Sequence, residues 1–204
     1  MLKRRAARLT RPRPAATLRP NPIRRDPMPE PESARALLEK LVSFPTVSRD
    51  SNLDLVDWVE DWLARQGVRC HRDYDATGTK ASLYAVVGPE TEGGVLLSGH
   101  TDVVPVDGQD WTSDPFAVTE RGGRLYGRGT CDMKGFDALA LAAVPKALAA
   151  DLKRPLHLAL TRDEEVGCIG AAPLLEKVAG QVPRPALAII GEPSMMEVVT
   201  GHKG

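Results

Sequence analysis

From residue 32 onward the apolar positions fall into alternating helical and strand periods. Ser33 can cap a helix carrying Ala36, Leu37, Leu38 and Leu41, and Pro45 marks its stop. Leu55, Val56, Val59, Trp62 and Leu63 repeat the three- and four-residue spacing from about Asn52, and Gly67 ends that helix. Strand-like runs follow at 68–72, 81–87 and 95–98. Residues 116–120 and 124–127 flank Arg121, Gly122 and Gly123, which reads as a hairpin. A long Ala- and Leu-rich helix is predicted over 138–150, with a kink at Pro145, and a shorter one over 171–178. The runs at 156–161 and 186–190 read as buried strands, and 197–200 as a last strand. Continuous apolar strands separated by helices predict an α/β fold with a mostly parallel sheet covered on both faces.

Ahead of this body lies a different composition. Residues 1–27 hold nine Lys and Arg against the single acid Asp26, punctuated by Pro12, Pro14, Pro20, Pro22 and Pro27. The chain carries 27 bases and 27 acids, so the remainder is acidic by the same margin. The leader has no apolar core of a secretory signal, no Ser and no interleaved aromatic. Residues 1–31 are therefore expected to be a disordered, dispensable leader, and 32–204 the structured domain. No apolar run reaches the roughly 18–20 residues that span a bilayer. Cys70, Cys131 and Cys168 are odd in number, far apart and without a CxxC pair. That argues against a disulfide scaffold or zinc ribbon and for a reducing, cytoplasmic setting. Without a spanning run, and with no aromatic in the leader and no basic fold behind it, neither membrane nor nucleic acid is expected as a partner.

In open α/β sheets ligands gather beyond the carboxyl ends of strands. Here those ends deliver His100 and Asp102, then Glu164 and Glu165, then Glu192, while the hairpin leads into Asp132. Each has a plain structural alternative. Asp132 could cap a helix, Glu192 could be a loop carboxylate, Glu164 and Glu165 a solvated pair, and His100 with Asp102 a structural strand end. The glycines of 127–135 lack the GxxxxGK[ST] spacing of a phosphate loop. Convergence of four such ends outweighs these separate readings. One imidazole among carboxylates suits zinc, cobalt or manganese. Two residues from His100, Asp102 can hold its ring. Of the adjacent Glu164 and Glu165, one can bind metal while the other faces substrate as a base.

The runs at 98–105, 127–135, 161–165 and 191–194 together resemble the M20 family of dinuclear metallohydrolases. Residues 110–116 and 201–204 add a resemblance to its acetylornithine deacetylase branch. The resemblance implies that His100 and Glu192 hold one metal, Glu165 the other, and that Asp132 bridges them. It also implies Glu164 as general base, Asp102 as the residue orienting His100, and a cis peptide between Asp132 and Met133. Two Zn2+ ions, or Co2+, would serve removal of the acetyl group from N-acetylornithine in arginine biosynthesis. A succinyl-diaminopimelate desuccinylase, another M20 peptidase or deacylase, and a non-catalytic remnant binding metal or a partner are the alternatives. Family members insert a second, dimer-forming domain and return with a further metal-binding histidine. On that comparison the chain is expected to be a fragment, inactive alone, whose full-length form is a homodimer acting on a small N-acyl amino acid. His157, alternating with Leu156 and Leu158, reads as structural.

Overall fold

A computed structural model of the protein describes residues 32–198, 200 and 201. The basic leader, Val199 and His202–Gly204 lie outside the described residues, and so do the expectations placed on them.

The first helix, α1 (Ala34–Val42), starts where Ser33 accepts a hydrogen bond from the Ala36 amide at 3.1 Å. In α2 (Leu53–Ala64), Asn52 occupies the cap position without capping. Its side-chain amide instead bonds both main-chain groups of Ala81, at 2.8 and 2.9 Å, and Thr101 Oγ1 at 2.8 Å. That choice ties the helix start to the sheet. Five strands form this sheet: β1 (Cys70–Tyr74), β2 (Ala81–Val87), β3 (Val95–His100), β6 (Leu156–Thr161) and β7 (Leu187–Ile190), in the order β1-β2-β6-β3-β7. Because β2 is antiparallel to both neighbours while β6, β3 and β7 pair in parallel, β2 alone runs against the other four. A separate hairpin, β4 (Thr119–Arg121) and β5 (Arg124–Tyr126), turns through Gly122 and Gly123. Both have positive φ, 57° and 72°, as a tight two-residue hairpin requires.

Layers form on both faces. Leu83 and Ala85 of β2 face a core shared with Leu37 and Leu41 of α1, Leu63 of α2 and Leu141 of α3 (Lys134–Ala149). Tyr84, one residue out of phase, points oppositely and packs with Leu96 and Ala159 against Leu174 and Val178 of α4 (Ala171–Val178). The expected fold class holds.

The bounds or burial of several elements differ from the sequence reading, among them the first hairpin strand, which spans Thr119–Arg121 rather than 116–120. The helix α3 begins four residues before Ala138, and Pro145 sits inside it. The first strand begins at Cys70 rather than Val68, because the Val68 amide closes the end of α2 by donating to the Leu63 carbonyl at 3.1 Å. All four residues of β7 are exposed rather than buried, since this strand pairs only with β3 and nothing among the described residues covers it. The strand expected over 197–200 is not formed at Glu197, Val198 or Thr200.

Candidate metal centre

Parallel pairing sets the ends of β3, β6 and β7 along one edge of the sheet. His100 lies opposite Thr161, and Ser98 opposite Ile190. The loops that leave those ends therefore start side by side. His100 is 1% exposed, and its Nε2 lies 3.0 Å from Asp132 Oδ1, 3.6 Å from Glu192 Oε1 and 3.8 Å from Glu164 Oε2. Two sets of donor atoms lie within 4.8 Å of one another: His100, Glu164 and Glu192, and His100, Asp132 and Glu165. All five residues expected around the metals thus come together. Asp132 does not cap α3, whose cap position is Met133, and its carboxylate turns to His100 instead. The Asp132–Met133 peptide is cis.

Asp102 acts on more than the imidazole. Its main-chain carbonyl lies 2.8 Å from His100 Nδ1, nearer than its own carboxylate at 3.5 Å. Donation from Nδ1 to that carbonyl aims Nε2 at the carboxylates. The Asp102 carboxylate accepts from Ser48 Oγ at 2.6 Å and from the amides of Glu164 and Glu165 at 3.0 and 3.3 Å. One buried acid thereby fixes the backbone of the glutamate pair. Asp163, at φ 57°, accepts from Lys80 Nζ at 2.5 Å and from Arg162 at 2.9 Å, which anchors the same turn. Cys168 Sγ donates to Glu164 Oε1 at 3.3 Å.

The electrostatics ask for positive charge. Burial raises the Glu165 and Glu192 carboxyls, and neighbouring carboxylates, Asp132 foremost, add to it. Burial opposes a charged His100, but the Asp102 carboxylate outweighs it and holds the imidazole at about 10. Asp102 is lowered against its own burial by His100, Ser48 and the Glu164 amide. One imidazole among clustered acids matches the donor preference of zinc and its borderline neighbours, so the residues present fit such a cation.

The sequence reading assigns no role to Ser48, Lys80 or Asp163, although Asp163 lies within the run at 161–165. Ser48 arrives from the α1–α2 connection, held by a parallel bridge between Val47 and Val103. No local spacing announces such a meeting. His157 is structural as expected: buried, with Nδ1 3.0 Å from the Tyr84 hydroxyl and Nε2 3.2 Å from the Gly93 carbonyl.

Residues 96–202, just over half of the chain, match peptidase family M20/M25/M40. The chain belongs to this family. Among solved structures, the M20 family metallo-carboxypeptidase Sso-CP2 from Sulfolobus solfataricus superposes with a TM-score of 0.68 at 22% identity, over 78% of this chain and 37% of that one. Human carnosine dipeptidase 1 gives 0.64 at 27% identity, over 77% and 38%. The Saccharomyces cerevisiae dipeptidase Dug1p gives 0.55 at 23% identity, over 72% and 35%. The chain spans less than two-fifths of the length of each. The M20 similarity covers β3, α3, β6 and β7, the elements that carry the cluster.

Proposed function

We propose that this chain provides metal-holding residues of an M20 amide hydrolase acting on N-acylated amino acids, with N-acetylornithine the preferred substrate. The observation that carries the reading is the approach of Asp132, Glu164 and Glu192 to one buried imidazole edge at 3.0–3.8 Å. His100 and Glu192 would hold one cation, Glu165 the other, with Asp132 shared. When bound, zinc or cobalt supplies Lewis acidity, lowering the pKa of water and stabilising negative charge on a carbonyl oxygen. Glu164 is the base: its carboxylate takes a proton from the attacking water and returns it to the departing amine nitrogen. Asp102 is a positioning residue, because it holds the His100 ring and the Glu164 amide together. The acetyl preference rests on residues 110–116 and 201–204. A dipeptide substrate is the second reading, favoured by the similarity to human carnosine dipeptidase 1.

Turnover is assigned to the whole protein and cation binding to these residues. Assayed with zinc, the full-length protein should hydrolyse N-acetylornithine with higher kcat/KM than N-succinyl-diaminopimelate or a dipeptide. Better turnover of either competitor overturns the substrate assignment. Glu164→Gln should remove turnover while zinc content stays, and Glu165→Gln should release zinc. An emptied site in Glu164→Gln would reverse the two roles, an outcome with a geometric basis, since Glu164 also lies within reach of His100 and Glu192.

A further inference from the structure

Asp102, Asp132, Glu164, Glu165 and Glu192 reach the cluster from loops and turns beyond strands. A sixth acid approaches from beneath the sheet. Asp137 lies in the first turn of α3, is 2% exposed, and its Oδ1 is buried without a hydrogen-bond partner among the described residues. The carboxyl presses on the backbone of β3 at Gly99, where a Cβ would stand 2.0 Å from Oδ1. Only glycine beside His100 admits the acid. Its surroundings do not satisfy it. Burial pushes Asp137 up to about 8, with His100 and Lys134 drawing it down and Glu192 opposing them. Lys134 gives its Nζ to the Phe44 carbonyl at 2.7 Å, and burial pulls it down to about 7, so it is a weak counter-ion.

An unpartnered buried carboxyl costs stability, and an apolar side chain would suit this helix face better. A cation held by His100 and Glu192 would draw this carboxyl into its charged form, so what the acid adds when metal binds is negative charge on that side of the cluster. We propose that Asp137 is a positioning residue of the cation site, whose carboxyl beneath Gly99 strengthens the hold of His100 and Glu192 on a divalent cation. The proposal rests on the metal-binding reading of the cluster and extends it to a residue that touches neither water nor substrate.

The test is calorimetric titration of the metal-free protein with zinc chloride, beside Asp137→Asn and Asp137→Leu, with thermal midpoints measured before zinc is added. Asparagine keeps the shape and leucine fills the space, so either variant serves if the other folds poorly. We expect zinc affinity about tenfold weaker in both, the scale seen for groups behind metal ligands. Their metal-free midpoints should be no lower than that of the unsubstituted protein. Unchanged affinity in both variants overturns this inference alone, as does weakening that appears only with a fallen midpoint. An unsubstituted protein that takes up no zinc overturns the metal-binding reading and this inference with it.

Discussion

His100 and His157 show how one residue type takes opposite roles. His157 is sealed between the Tyr84 hydroxyl and the Gly93 carbonyl, and burial lowers its pKa. The unfolded chain therefore binds this proton first, near the ordinary value of about 6.5. Stability attached to His157 is complete above that pH and is lost as pH falls through it. His100, held up at about 10, has the reverse sign and loses its contribution only on the alkaline side. Thermal unfolding between pH 7 and 5 should accordingly fall less steeply for His157→Gln than for the unsubstituted protein. Parallel pH profiles would contradict this. Both placements were legible in the sequence, from strand alternation for His157 and from position at a strand end for His100. The buried Asp137 and the Ser48–Asp102 bond were not, because each depends on a neighbour far away in the chain.

Among the elements, those with a strong period and a clear boundary residue matched the sequence best. Leu156–Thr161 and Ala171–Val178 fall where the pattern puts them, and Ser33 caps α1 as its side chain predicts. Ser33→Ala should cost about 1 kcal/mol and lower the thermal midpoint by a few degrees. An unchanged midpoint would show that the cap contributes nothing. Boundaries failed where packing replaced local chemistry. Lys134 and Asp137 look like loop residues beside a glycine, yet both are buried in the first turn of α3. The strand β7 failed in another way. Its apolar run reads as interior, but Leu187, Ile189 and Ile190 are exposed on an edge continuous in sequence with exposed Met195 and Met196.

At the scale of the whole molecule, the fold works as a clamp for charge. Three parallel strands end together, and their loops, with the segment after the hairpin, deliver four carboxylates to one imidazole. Asp102 and Ser48 couple that rim to the connection between α1 and α2. No helix among the described residues is long and apolar enough to cross a membrane. Like charges gathered this closely oppose folding unless a cation joins them, so cation binding is the central property of the arrangement. The most direct measurement is zinc titration of the metal-free protein beside His100→Ala, followed by calorimetry and checked by elemental analysis. The unsubstituted protein should take up zinc saturably, and the variant should take up none at the same concentrations. Equal zinc uptake by both, or none by either, would contradict a cation site built on His100.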